Sequence, residues 1–313
     1  MSGVYSHAGA YDACADTTLI SLCDSDEATL SDCSLHWGVK NTYTSIDEFL
    51  EKENPEIVSI CTPDNTHAQI TRKVLGLSSV RGVLIEKPLA LNLQEAEDIV
   101  TLAADRDIVL AVNYSRRYAP GHDRVRQLIE NGGIGKVQMV TGYYTKGVLH
   151  NGTHWLDLAR FLIGDVAAVQ GLTGLKCEGP GSDSDPNLDV QLAFASGGRG
   201  HLFGCSADLF SVFEMDIVGS RGRVRIIDSG HNIEHYLVAD SEFYTDYKSL
   251  KLNDSWDGGL DNSMIFAIEN LVECVAYGKV PLCSGHDGLE ALKLGIAAIE
   301  SRNTNVPELL VNS

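Results

Sequence analysis

Several things are scarce in this sequence, and each scarcity removes a class of protein. No apolar run approaches the roughly 20 residues that a membrane-spanning helix needs. No basic segment followed by an apolar one opens the chain, so no leader peptide is expected. Positive charge is sparse. Lys and Arg together number 24 against 43 Asp and Glu, a formal net charge of −19. A chain so acidic repels nucleic acid and anionic membrane surfaces, and neither is expected as a partner. The eight cysteines, at 14, 23, 33, 61, 177, 205, 274 and 283, include no C-x-x-C pair. Several lie inside apolar runs, as Cys61 does in "IVSICT". Reduced, buried thiols in a cytoplasmic protein are expected, with no disulfide framework or zinc site. Low-complexity tracts and internal repeats are also missing.

What remains is a chain of 313 residues, 44% hydrophobic and 21% charged. That length is enough for two domains. Its first third alternates strand and helix. The runs "TTLISLCD" (17–24), "PEIVSICTP" (55–63), "VRGVLIEKP" (80–88) and "DIVLAVN" (107–113) are short, continuous and β-branched, as strands buried on both faces should be. Between them, 65–76 and 92–106 carry apolar residues at helical spacing. The second of these opens on an Asn cap with a Glu three residues later. Repeated β-α units of this kind predict a doubly wound parallel sheet with helices on both faces.

After about residue 119 the pattern changes. A helix at 121–135 leads to strand-like segments at 137–146, 166–175, 188–196, 199–207, 212–218, 222–227 and 233–239. Glycine-rich turns such as "ASGGRG" and "GSRGR" separate several of them. A second domain of α+β type, with a large and mostly antiparallel sheet, is expected. The helix "THWLDLARFLIG" (153–164) interrupts its start, and helices near 261–277 and 285–301 close the chain.

Ligands of a doubly wound sheet bind beyond the carboxyl ends of its strands. Four predicted strand ends carry polar residues there. Asp24 ends "LISLCD"; Thr62, Pro63, Asn65 and His67 follow "VSIC"; Glu86 and Lys87 follow "GVLI"; Asn113 and Tyr114 follow "IVLAV". A carboxylate at Asp24 suits ribose hydroxyls and repels a 2′-phosphate, which favours NAD over NADP. It could equally cap the next helix. Lys87 beside an oxidised nicotinamide ring would lose proton affinity and could help move the proton of a substrate hydroxyl; the plainer alternative is a surface lysine paired with Glu86. In "GVLHNGTHWLDLARFLIG", His150, His154 and Asp157 are spaced four and three apart. A helix starting near Thr153 puts His154 and Asp157 on one face. It also puts His154 in the first turn, where the helix dipole favours a neutral, proton-accepting imidazole. A capping histidine with a structural aspartate is the alternative. The three side chains could ligate a metal, but no further ligand cluster accompanies them and no metal is expected.

Taken in order, these segments resemble the Gfo/Idh/MocA family, that of glucose–fructose oxidoreductase and inositol dehydrogenase. The resemblance runs through "HAGAYDA", "LISLCD", "DEFLEKENPEIVSICTPDNTH", "VLIEKPLALN", "NYSRRYAPG", "IENGGIGKV" and "HNGTHWLDLARFLIGD". It implies a Rossmann domain over 1–119 and an α/β substrate and oligomerisation domain over 120–313, whose open sheet face serves homodimer or homotetramer assembly. It places the catalytic lysine at Lys87, the catalytic histidine at His154 and an accompanying acid at Asp157. It places cofactor-facing residues at Thr62, Pro63, His67, Glu86, Asn113 and Arg116. Tyr114, Arg117 and His150 are expected to line the substrate pocket. Many members have an aspartate where this chain has His150. The implied activity is hydride transfer between NAD or NADP and a secondary alcohol or ketone of a sugar, sugar acid or polyol. Two alternatives share the fold: a non-catalytic sensor of a sugar or dinucleotide, and an NAD-assisted glycosidase.

The family opens with an apolar strand and a G-x-G-x-x-G turn. Here the helix that follows is present as "SHAGAY", Met1 falls where the second glycine would be, and Gly3 lies close to the third. The expectation is a start placed too late or a trimmed chain in preference to a genuine loss of cofactor binding, with Gly3 as a remaining cofactor contact and weak or no cofactor binding by the sequence in hand.

Overall fold

The computed structural model describes residues 5–174, 185–208 and 210–310. Gly3 and Cys177 lie outside them. In chain order the elements are α1 (His7–Ala13), β1 (Ser21–Cys23), α2 (Glu27–Trp37), β2 (Asn41–Tyr43), α3 (Ile46–Lys52), β3 (Ile57–Ile60), α4 (His67–Leu75), β4 (Gly82–Glu86), α5 (Leu93–Asp105), β5 (Val109–Asn113) and α6 (Ser115–Tyr118). There follow α7 (Pro120–Glu130), β6 (Val137–Tyr144), α8 (Thr153–Ile163), β7 (Val166–Thr173), β8 (Leu188–Phe194), β9 (Arg199–Gly204), β10 (Glu214–Gly219), β11 (Gly222–Ile227), β12 (Asn232–Asp240), β13 (Lys248–Asp257), α9 (Ser263–Tyr277), α10 (Gly285–Thr304) and β14 (Glu308–Leu309). Two compact units result. One holds the chain up to Tyr118 together with Asp261–Leu289, the other Ala119–Leu260 with the chain from Glu290 on. The sequence expectation draws a single boundary at 119–120; by compactness 261–289 go with the first unit.

In the first unit every strand pairing is parallel. β1 pairs with β2, and β3, β4 and β5 form a separate three-stranded sheet in that order. The apolar runs explain the burial. Val83, Leu84 and Ile85 of β4 are 0% exposed. Such burial is that of a sheet covered on both faces. α9 packs on β4 and β5. Gly82 permits that approach, since a Cβ there would lie 2.7 Å from Val275 of α9. The cap read from the sequence forms at α5, where Asn92 Oδ1 accepts from the Glu95 amide at 2.9 Å.

The second unit is built on a nine-stranded sheet in the order β13-β12-β11-β10-β6-β9-β8-β7-β14. Neighbours are antiparallel except β6 and β9, which are parallel. Strands such as β8 alternate buried and open positions, so one face is covered and the other is not. Trp155, Leu156 and Leu158 of α8, Val125 of α7 and Leu294 and Ala298 of α10 join Val140, Val190, Leu202, Ile217 and Val224 of the sheet in a single core. On the opposite face Tyr143, Phe203 and His201 stack, with ring centroids 5.9 and 4.1 Å apart.

Two expectations change. The cysteines are free thiols among the described residues, but only Cys14, Cys274 and Cys283 are buried, while Cys23 and Cys61 at strand ends are exposed. The edge strand β13 is long and mostly exposed, and nothing in its polar sequence signals a strand. No described helix is long and apolar enough to cross a membrane.

Candidate active site

The ends of β1, β3, β4 and β5 in the first unit carry the polar residues singled out above. Asp24 directly follows β1 and is exposed. One carboxylate oxygen accepts from the Asp26 amide at 2.9 Å. At the end of that turn Asp26 caps α2 by accepting from the Ala28 and Thr29 amides. After β3, Thr66 Oγ1 lies 2.8 Å from Thr62 Oγ1 and 2.7 Å from Pro63 O, which closes the Thr62–Thr66 turn.

Glu86 ends β4 and is the electrostatic centre of this edge. Its Oε1 lies 2.9 Å from His7 Nε2 and accepts from Asn113 Nδ2 at 2.6 Å. Burial pushes the Glu86 carboxyl up, but the bonds from His7 and Asn113 and the charge of Lys87 prevail and hold it below the ordinary carboxylate value. An anion therefore sits beside Lys87, fixed by α1 on one side and β5 on the other. His7 Nδ1 and Asn113 Oδ1 are buried and find no hydrogen-bond partner among the described residues. Two such orphaned atoms flanking a carboxylate suit a ligand rich in N–H and O–H groups. His7 is visible in the sequence only as part of a helix. Its partner is 79 residues away, and no local pattern could link them.

His67 departs from its expected role. It is 0% exposed, with Nδ1 2.7 Å from Pro88 O and Nε2 2.8 Å from Thr62 O. Both ring nitrogens are taken by backbone carbonyls, so the ring ties the turn after β3 to the turn after β4 instead of facing a cofactor. Arg117 also departs. It is 6% exposed, pairs with Asp287 at 3.1 Å and donates to Leu282 O at 3.1 Å. Its guanidinium is buried and braces the entry to α10. Tyr114 is 2% exposed. Burial pushes the Arg116 guanidinium down to about 10.

The histidine motif lies in the second unit. Helical backbone begins at Val148, where one π-helical turn (148–152) leads directly into α8. His154 is therefore beyond the first turn, and the dipole argument for a neutral ring there loses force. Asp185 explains the early start. Its two carboxylate oxygens accept from the Leu149 amide at 2.7 Å and the His150 amide at 2.9 Å. Gly147 (φ +86°) lets it in, since a Cβ there would overlap the carboxylate. Asn187 completes the seat by accepting from the Gly147 amide at 2.7 Å and donating to Cys205 O at 2.8 Å. His150 is exposed, His154 half-buried and Asp157 1% exposed. Trp155 anchors the helix to the sheet by donating Nε1–H to Glu214 O at 3.0 Å. Asp185 and Asn187 escape a sequence reading because they reach the motif from 35 to 40 residues downstream.

Comparison with known proteins identifies the family and the fold. The profile of the oxidoreductase family, NAD-binding Rossmann fold, matches residues 3–114, and that of the same family's C-terminal alpha/beta domain matches 145–308. Among curated relatives, myo-inositol 2-dehydrogenase of Thermotoga maritima is 25% identical over 91% of this chain and 89% of its own length. Inositol 2-dehydrogenase of Rhizobium meliloti is 27% identical over 94% and 92%. Among solved structures, levoglucosan dehydrogenase in complex with NADH and L-sorbose has the same fold, with a TM-score of 0.84 at 17% identity over 98% of this chain and 95% of that one. The first profile covers the parallel strands and their carboxylate-centred edge, the second covers the two-histidine helix and most of the large sheet and runs on through 261–289, and the chain belongs to the Gfo/Idh/MocA oxidoreductase family.

Proposed function

We propose that this protein is an NAD(P)-dependent dehydrogenase that oxidises a secondary alcohol of a sugar, sugar acid or polyol, or reduces the corresponding ketone. The observation that carries the reading is the ionised Glu86, held by His7 and Asn113 immediately before Lys87. The dehydrogenase names of relatives that span nearly the whole chain support it. NAD, when bound, supplies the hydride acceptor or donor. The chain's own residues do the rest. Lys87 donates a hydrogen bond to the reacting oxygen and stabilises negative charge on it. His154 takes the hydroxyl proton in oxidation and returns it in reduction, with Asp157 setting the helix face on which it stands. Asp24 accepts from ribose hydroxyls and so favours NAD over NADP. Thr62, Pro63, Glu86, Asn113 and Arg116 complete the cofactor edge, and His150 faces substrate. In this reading residues 1–119 serve the cofactor, and 120–313 serve substrate and assembly into a homodimer or homotetramer through the open sheet face. The protein works in the cytoplasm.

The test is titration of the purified chain with NADH and NADPH, read by nicotinamide fluorescence, followed by a turnover screen of inositols and aldoses with NAD+. Binding of NADH tighter than NADPH, with turnover of at least one polyol, is the expected result. No turnover of any polyol, with neither dinucleotide bound at millimolar concentration, would favour the non-catalytic sensor over the dehydrogenase.

A further inference from the structure

Asp185 is an acid that the tertiary structure brings onto the start of the histidine helix from elsewhere in the chain. Both its oxygens are engaged by backbone donors, Leu149 N and His150 N. The first amides of a helix carry its positive end, and that end makes protonation of a nearby imidazole unfavourable. A full negative charge bonded to those same amides more than offsets a partial positive one. His150 owns one of the bonded amides, and His154 stands one turn further along. The sharp turn at Gly147, the seat provided by Asn187 and the bond from Thr153 Oγ1 to Leu149 O at 2.8 Å hold this geometry in place.

We propose that Asp185 is a positioning residue for the His150–His154 pair: its carboxylate fixes where the helix begins and raises the readiness of both imidazoles to take up a proton. The importance of that effect for catalysis rests on the role given to His154 above; the effect itself does not. Other charged groups surround the helix. Asp157 and Arg160 lie on its later turns and Lys146 in the turn before it. Arg126 of α7 lies over Phe161. From α10, whose Gly295 packs against Leu149 and Thr153, come Glu290 and Lys293, paired at 3.0 Å. Tyr144 of β6 packs against Gly152. All of these remain in place when position 185 alone is changed.

The experiment is a pH titration of the imidazole resonances of the whole chain, labelled at histidine, in the wild type, Asp185→Asn and Asp185→Glu. Expected in Asp185→Asn is a move of the His150 and His154 midpoints to lower pH by about half a unit or more, the sign for losing a neighbouring anion. Asp185→Glu should restore part of the move, and His36 should not change. Midpoints unchanged in a folded Asp185→Asn protein would overturn the proposal. If that variant does not fold, the wild type decides: raising salt from about 0.02 to 0.5 M should lower the His150 and His154 midpoints more than that of His36, because salt screens the carboxylate. An equal or opposite response would refute it. If the wild type oxidises a polyol, the acidic limb of its kcat profile should move to lower pH in Asp185→Asn while KM for NAD+ stays within about twofold. A wild type with no turnover counts against the proposed reaction and leaves the resonance test of Asp185 intact.

Discussion

Gly142 determines how closely the histidine helix approaches the sheet, and Gly142→Ala should expose that dependence. The residue sits in β6, opposite Met215 of β10 and Leu202 of β9. A Cβ added there would lie 2.8 Å from Trp155 Cε2, and closer still to Trp155 Nε1 and Glu214 O. Those last two atoms are the partners of the bond that pins α8 to the sheet. Trp155 is 0% exposed, so the ring has no open space to move into. Overpacking of a core costs about 1–3 kcal/mol. Breaking the indole bond leaves a buried donor and acceptor, for about 1–3 kcal/mol more. A loss of about 2–6 kcal/mol follows, a large part of the roughly 5–15 kcal/mol that holds a domain together. In a unit of this size that corresponds to a fall in Tm of roughly 10 °C. The assay is thermal and urea unfolding followed by tryptophan emission in a Trp37→Phe background, where Trp155 and Trp256, both in the second unit, remain as reporters. Gly198→Ala is the control. Its Cβ would meet nothing nearer than 3.6 Å. It should therefore change stability by less than about 1 kcal/mol. A Gly142→Ala protein within about 1 kcal/mol of wild type would refute the claim that this glycine sets the helix position.

Three further outcomes are expected. Glu86→Gln keeps the shape but replaces two hydrogen bonds to a charge by weaker neutral ones. The Glu86 side chain is 30% exposed, so water screens part of the effect. The expected cost is about 1–2 kcal/mol. Because the folded-state pKa of Glu86 is depressed, its contribution is fully present above the unfolded value near 4.5 and is lost as pH falls through the lower folded value. The difference in urea midpoint between Glu86→Gln and wild type should be flat from about pH 8 to 6 and narrow below about 4.5; a gap that widens in acid would contradict the assignment. Arg117→Met breaks a buried pair and should cost about 3 kcal/mol, near the low end for such pairs. The cost stays low because Asp287 retains bonds from Ser284 N and Oγ. Denaturation monitored through Trp37, in the first unit, checks it, and a change under about 1 kcal/mol would be inconsistent with a bracing role. Lys87→Ala should lower kcat at least about 100-fold with NADH affinity within about threefold, and retained turnover would remove Lys87 from the chemistry.

Much of the fold is legible because local sequence carries it. Runs such as Val83–Ile85 read as doubly buried strands because nothing polar interrupts them, and the alternation through β8 reads as a sheet covered on one face. The cap at Asn92 is readable because donor and acceptor lie three residues apart. β13 is not readable: on an exposed edge, "KSLKLNDSWD" is selected by backbone pairing with β12 and needs no apolar alternation. Local pattern places the start of α8 at Thr153, as found, but does not show the π-helical turn before it, because the carboxylate that satisfies that turn's amides belongs to Asp185.

The sequence alone thus determined which residues stand at the ends of the parallel strands, and that two histidines and an aspartate share one helical segment. Those facts follow from periodicity over a few residues, which the backbone enforces locally. Tertiary structure decided what each polar group does: His67 became a clasp between two turns, Arg117 a brace on Asp287, His7 a support for Glu86 and Asp185 the cap of a helix. The reason is that a buried polar side chain must find a partner, and the partner that satisfies it is fixed by where the folded chain brings distant segments together, over separations no local pattern encodes.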